Sequence, residues 1–312
     1  MAKVPENSIV REFEYKIAEY CGSKHCLSVS NATIGILGVF YALGLSNAEV
    51  ITTPLTWCGA FSGLQILNCK FKFCDIEPEN LTINPDLIES LITPNTKAVF
   101  SADFLGYPAR LDRIKEICTK HNLLLIHDAA SSFGSRYNDL YSGFYADVTI
   151  LSFGAKKIFS LGEGGCILME SDEKFEQITK KLMHPLRQKV ECCDYNPFAL
   201  NSNINPFAAK YAIDNLDLKM KEIEANRKKN IIWLKNNLAI ESRPIDAPNF
   251  YRIVVPIKYL IEVECNYSIE DFPFDNLIYN EPGYGSSFNG ENYSCPLAES
   301  AINQYKIISI QR

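Results

Sequence analysis

Leu151-Ser152-Phe153-Gly154-Ala155-Lys156-Lys157-Ile158-Phe159-Ser160-Leu161-Gly162-Glu163-Gly164-Gly165 places two lysines on a glycine-rich connection between two apolar runs. The run before it, 148–151, reads as a buried strand, and the run after it, 166–169, as a second. A lysine between two buried strands is placed to become an imine-forming amine, provided something lowers its pKa. Partial desolvation does this, as does a neighbouring cation, and Lys156 is a candidate for that cation. Lys156 and Lys157 also read as a solvated charge pair on a surface turn. The rest of the chain separates these readings.

Outward from this loop, strand and helix signals alternate. Residues 8–20 show helical spacing, with Ile9, Phe13, Ile17 and Tyr20 on one side. A short strand over 26–29 runs into Ser30-Asn31-Ala32-Thr33, where Ser30 and Asn31 are N-cap residues for an apolar helix to about 43. Strands follow over 49–53, 70–74, 98–102 and 123–126, and helices over 57–67 and 111–120. A further helix opens at Asn84-Pro85-Asp86 with a cap, a first-turn proline and an acidic residue. This alternation predicts an α/β fold with a mostly parallel sheet sandwiched by helices. In such sheets ligands bind beyond the carboxyl ends of the strands. After about residue 181 the pattern changes. An Asn- and Pro-rich stretch, 191–206, precedes a long helix over 207–238. Strand-like runs over 251–257 and 260–263 and a loop over 281–292 then follow. The division expected is a large domain, 1–195, and a smaller C-terminal α+β domain, 196–312.

Composition excludes several classes. The chain has 312 residues, 47% of them hydrophobic, enough for a large core. Its net charge of −6 gives no footprint for nucleic acid or an anionic membrane surface. No apolar run approaches a membrane span, and the first residues lack the apolar core of a signal peptide. A cytoplasmic location is expected. The 11 cysteines are scattered without a CxxC pair, and the four histidines have no metal-ligand spacing. Neither a disulfide framework nor a metal site is expected.

Three further features fall where strand ends meet helix starts. The helix opening at Ala32 and Thr33 offers free N–H groups to an anion such as a phosphate; simple capping also explains it. Asp128 ends a very apolar strand and needs a partner for its charge, unless it is itself a cap or half of a structural ion pair. Trp57 follows a strand at Thr56, where an ordinary packed aromatic is the alternative. Taken with Lys157, the set matches the requirements of pyridoxal 5′-phosphate: a phosphate cradle, a ring cover, a carboxylate for the ring nitrogen and an amine.

Here the chain resembles the DegT/DnrJ/EryC1/StrS family of sugar aminotransferases, which have the aspartate-aminotransferase fold (fold type I). Ser152-Phe153 through Gly162-Glu163-Gly164-Gly165 is similar to the family's S-F-x-x-x-K…G-E-G-G segment. The lysine comes five residues after the serine, which selects Lys157. Ser152 matches a phosphate ligand, Ile126-His127-Asp128-Ala129-Ala130 resembles E-D-A-A, Thr56-Trp57 matches the stacking aromatic, and Ser30 to Thr33 matches the S-x-G-T loop. Asn201 falls where the family has an asparagine that reaches the partner subunit's phosphate. Motif by motif, the resemblance runs from about 13 to 183 and then fades. Cys295-Pro296-Leu297-Ala298-Glu299 still resembles a late P-x-A-E.

There are departures. Ala32 replaces the phosphate loop's usual glycine, which could crowd a phosphate. Ser131 stands for a glutamine or histidine that contacts the ring hydroxyl, and Asn203 for an arginine. Both ends look short, and the family's histidine-containing substrate loop is not recognisable in 281–292. The resemblance implies transamination. Lys157 holds the cofactor as an imine and moves the proton, Asp128 keeps the ring nitrogen protonated, and Trp57 restrains the ring. It also implies glutamate as donor, a keto-sugar on a nucleotide as acceptor, and a homodimer with shared sites. A smaller keto substrate, or a non-catalytic binding protein on the same fold, are the alternatives. The family's dehydratase branch, which has histidine at the lysine position, is disfavoured by Lys157.

Overall fold

The computed structural model describes residues 8–78, 80–192, 194–237, 253–256, 267–270, 277 and 294–310. Its centre is a seven-stranded sheet. In chain order the strands are β1 (His25–Val29), β2 (Glu49–Thr52), β3 (Lys70–Phe73), β4 (Thr96–Ala102), β5 (Leu124–Asp128), β8 (Val148–Ser152) and β9 (Gly165–Met169). A small antiparallel hairpin, β6 (Arg136–Tyr137) and β7 (Leu140–Tyr141), lies between β5 and β8. The spatial order is β1-β9-β8-β5-β4-β2-β3. Strands β8, β5, β4, β2 and β3 pair in parallel, and β9 alone runs antiparallel to both its neighbours.

Strand alternation divides the core into two faces. Leu27, Val50, Phe100, Ile126, Ile150 and Ile167 belong to one cluster. It is covered by α2 (Ala32–Ala42), α3 (Gly59–Ile66) and α6 (Asp172–Leu182). On the other face, Cys26, Leu151, Cys166 and Leu168 pack with α1 (Ile9–Cys21) and α8 (Pro206–Asn237). Ile51, Val99 and Leu125 pack on the same side with α4 (Pro85–Leu91) and α5 (Leu111–Lys120). Each strand thus sends consecutive residues into different clusters, which is why apolar residues on these strands occur in adjacent positions rather than in strict alternation.

The element boundaries follow local chemistry. Helix α1 starts at Ser8, whose hydroxyl accepts from Arg11 N–H, and ends at Gly22, with φ +64°. Trp57 lies in the turn before α3 rather than inside the helix expected over 57–67. The sequence pattern also did not resolve α6, a separate α7 (Pro185–Glu191) or the β6–β7 hairpin. Beneath β1, Glu14 accepts from the N–H and hydroxyl of Ser28, at 2.7 and 2.6 Å, and from Arg187. This buried set fixes the strand that feeds α2.

Beyond α8, a three-stranded antiparallel sheet has the order β10 (Ile253–Pro256), β12 (Tyr305–Ile310), β11 (Tyr267–Glu270). The loop expected over 281–292 and the strand over 260–263 lie outside the described residues. Helix α9 (Pro296–Gln304) buries Ala298 and Ala301 in the cluster that contains Phe71 and Phe73. Asp75, just past β3, accepts the N–H groups of Leu297 and Ala298, each at 2.9 Å, at the start of α9. A carboxylate there is favoured by the helix dipole.

Helices α2 and α3 meet at Gly63, where an added Cβ would stand 2.7 Å from Leu37 Cβ and 2.9 Å from its Cα. Gly63→Ala is expected to lose about 1–3 kcal/mol from overpacking, more than the roughly 1 kcal/mol gained in helix propensity. A urea midpoint at or above wild type would show that the two helices are free to separate.

Candidate active site

The predicted site residues converge at the carboxyl edge of β5 and β8. Ser152 is the last residue of β8 and pairs across the ladder with Gly165. Gly165 pairs on its other side with Val29 of β1. An added Cβ at Gly165 would sit 3.0 Å from Ala32 N and 2.8 Å from Leu151 O. The start of α2 therefore lies directly against the β8–β9 edge, and only a residue without a side chain allows that approach.

The start of α2 is built as an anion cradle. The Asn31 side chain accepts from Ile34 N–H at 2.9 Å, and Gly35 N–H bonds to Asn31 O. Ala32 and Thr33, as the first two helical residues, have N–H groups without an intrahelical partner. Ala32 is not among the residues with positive φ, so the family's glycine is not needed for backbone conformation. Thr33 Oγ1 is 3.4 Å, and Trp57 Cδ1 3.1 Å, from the Cβ position of Gly59. This puts the Trp57 indole, 66% exposed, beside the cradle.

Asp128 terminates β5 and shares a face with Ile126 by alternation. It is buried, and its Oδ1 accepts Ala130 N–H at 2.9 Å. Burial raises its pKa; the Ala130 bond and the Lys157 charge oppose that rise. Lys157 is half-buried, whereas Lys156 is exposed. Burial lowers the Lys157 pKa, against the attraction of Asp128. Desolvation, not the Lys156 charge, is thus what tunes the amine. The loop that carries Lys157 turns back through Lys157 N–H to Gly154 O, at 2.9 Å, and through Gly162, with φ +79°.

Ser131 Oγ donates to Asp103 O at 3.0 Å, so this hydroxyl is tied to the end of β4. Asn201 is exposed, and its Oδ1 accepts from Asn203 at 2.6 Å. The adjacent Ser202 carbonyl accepts Ser30 N–H at 2.8 Å, which ties this segment to the entrance of α2. His127 and Asp103 were not singled out from sequence. They form a fully buried contact beneath Asp128, and the available signal was a histidine inside an otherwise apolar strand.

These residues fit pyridoxal phosphate. The helix start and Ser152 suit its phosphate, the open indole suits a ring, and buried Asp128 and half-buried Lys157 lie close enough for their charges to interact. Fold and site together define a pyridoxal-phosphate-dependent transferase of fold type I. Comparison with known proteins agrees. Helicobacter pylori PseC, an aminotransferase involved in the biosynthesis of pseudoaminic acid, superposes with a TM-score of 0.82 at 20% identity, over 97% of this chain and 86% of that one. The DegT/DnrJ/EryC1/StrS aminotransferase family matches residues 5–250; the chain belongs to that family, and its cofactor is pyridoxal phosphate. The match extends well past 183, where individual motifs fade.

Two relatives are 28% identical. One is the UDP-2-acetamido-2-deoxy-3-oxo-D-glucuronate aminotransferase of Pseudomonas aeruginosa, with 84% of this chain and 72% of that protein covered. The other is the GDP-perosamine synthase of Caulobacter vibrioides, with 76% of this chain and 64% of that protein covered.

The pKa directions yield a stability test. The raised value of Asp128 means that the folded state holds its proton more tightly than the unfolded chain. That contribution is full below about pH 4 and lost as pH rises through the folded value. Lys157, lowered, contributes above about pH 10 and loses this as pH falls. Near neutral pH the burial of both groups therefore works against folding. Cofactor-free Asp128→Asn should melt no lower than wild type at about pH 8, and gain less when pyridoxal phosphate is added. An equal gain in both proteins, measured by thermal melting, would remove Asp128 from the cofactor's contacts.

Proposed function

We propose that this protein is an aminotransferase that carries an amino group, from glutamate, to the keto group of a nucleotide-linked deoxysugar in the cytoplasm. Such a step serves the building of surface polysaccharide or deoxysugars. The observation that carries the reading is a buried Asp128 and a half-buried Lys157 amine that influence each other's charge, with the start of α2 packed against the β8–β9 edge from which the lysine loop leaves. The named relatives act on UDP- and GDP-linked sugars, which supports the class of acceptor. The division at residue 195 into cofactor-binding and smaller domains belongs to the same proposal.

Bound here, pyridoxal phosphate supplies an aldehyde for an amine and a ring that withdraws electrons from the adjoining carbon. The N–H groups of Ala32 and Thr33, with the Ser152 hydroxyl, would hold its phosphate. Asp128 would pair with the ring nitrogen and favour its protonated form. Trp57 would cover the ring and Ser131 would contact its hydroxyl. The Lys157 amine, with its lowered pKa, would take the proton from the donor's α-carbon and return one to the sugar carbon that receives nitrogen.

The chain is proposed to act as a homodimer, with Asn201 reaching the phosphate bound by the partner. Phe198 and Phe207, 88% and 87% exposed, flank the Asn201 segment together with half-exposed Tyr195 and Tyr211. Apolar surface of this kind beside a site supports cover by a second copy.

Purified protein mixed with pyridoxal phosphate should develop an absorption band that glutamate converts to that of the amine form of the cofactor. Lys157→Ala should lose the band; its survival there would refute the role of the lysine. A panel of nucleotide-linked keto-sugars and smaller keto-phosphates then tests the acceptor. Turnover with the small ketones alone would exclude the sugar reading. Sedimentation should give a dimer, and a monomer that binds cofactor at full affinity would remove Asn201 from the phosphate.

A further inference from the structure

Directly behind Asp128, on the opposite face of the sheet, two ionisable side chains have no access to solvent. His127 Nε2 lies 2.9 Å from Asp103 Oδ1, and both side chains are 0% exposed. The approach is close but poorly aligned for a hydrogen bond, so the attraction is chiefly electrostatic. Burying two such groups is unfavourable unless each compensates the other. No part of the proton chemistry assigned to Lys157 uses them.

Their main chains explain the placement. In the β4–β5 register, Ser101 lies beside His127 and Ala102 beside Asp128. Asp103 is the next residue, already past the end of β4. Its N–H continues the ladder and donates to Asp128 O at 3.0 Å. Its C=O accepts the Ser131 hydroxyl at 3.0 Å. Its carboxylate accepts Ala109 N–H at 2.8 Å, which closes the turn after β4. One residue outside the strand therefore holds the backbone of Asp128 and the side chain of Ser131 at once. His127 in turn sits against Thr149 of β8, with Nδ1 3.5 Å from Oγ1. The imidazole bridges the ends of β4 and β8 from beneath.

We propose that His127 and Asp103 are a positioning pair for the cofactor carboxylate, the buried imidazole anchoring Asp103 so that its main chain fixes Asp128 and Ser131. The inference rests on the reading that Asp128 faces the cofactor's ring nitrogen. The charged groups that bear on Asp128 are Lys157 from the loop after β8, His127 from its own strand and Asp103 from the end of β4. Removal of either member of the pair frees the turn after β4 and lets the Asp128 carboxylate shift. A misplacement of about 1 Å at a positioned group costs up to about a hundredfold in rate.

The test compares four single variants of the full chain, each loaded with pyridoxal phosphate: His127→Gln, Asp103→Asn, Asp128→Asn and Val99→Ala. Val99, fully buried on the same face as His127, controls for general loss of core packing. The readouts are the absorption of the bound cofactor across pH, its dissociation constant, and kcat and KM for the amino donor. His127→Gln and Asp103→Asn should move the pH midpoint of absorption in the same direction as Asp128→Asn, and lower kcat by about tenfold or more with little change in donor KM. Val99→Ala, with comparable or greater loss of thermal stability, should leave the midpoint at the wild-type value. Should a single variant not fold, His127→Asn, which leaves the Ala109 bond to Asp103 in place, provides a second route, and the midpoint should shift in it as well. Wild-type midpoints in His127→Gln and Asp103→Asn, alongside a shifted Asp128→Asn, would overturn the pair while sparing Asp128. An unshifted Asp128→Asn would instead overturn the reading on which the pair depends.

Discussion

A buried carboxylate and a half-buried amine act on each other's charge at the carboxyl edge of the sheet. Asp128 and Lys157 are each pushed by burial toward their neutral forms, and each is pulled back by the other. On the proposed reading, the cofactor's cationic ring would answer the carboxylate and its aldehyde would take up the amine. The surrounding sheet supplies rigidity, with two apolar clusters on one face and a third on the other.

The cradle for the phosphate depends on a separate constraint, the contact between Gly165 and the first turn of α2. That contact sets the distance from the free N–H groups of Ala32 and Thr33 to Ser152. It is supported from below by the bonds of Glu14 to Ser28 and Arg187, which hold β1 in register as it enters the turn. The segment around Ser202 braces the same turn through Ser30. Three distant parts of the chain thus converge on four residues of helix start.

Much of this was legible in the amino-acid order. Strands buried on both faces carry adjacent apolar residues, so the runs within β4, β5 and β8 announce themselves, and Asn31 and Asn84 mark helix starts by their capping chemistry. Asp128 stood out as a carboxylate at the end of an apolar strand, and Lys157 and Ser152 through their spacing in the segment that resembles the family's. Other features were not. Trp57 reads as helical by pattern but lies in a turn, since the adjacent Thr56 and Cys58 carry no strong breaker. The contact of His127 with Asp103 depends on strand register, which no local pattern encodes. Of the two sources offered for a lowered Lys157 pKa, desolvation acts and the Lys156 charge does not, because proximity in sequence says nothing about which side chain turns inward.

The single reversed strand has a mechanical result of its own. Because β9 runs against β8, the chain must make a U-turn at the carboxyl edge and cannot leave it through a helical crossover. The segment from Phe153 to Gly164 is therefore captive, with both ends clamped in one ladder. Most surface connections absorb added or deleted residues by bulging into solvent. In this one any bulge must arise between two fixed ends. A change of length there alters the reach of the amine itself, so its length is as much a determinant of the chemistry as the identity of the lysine.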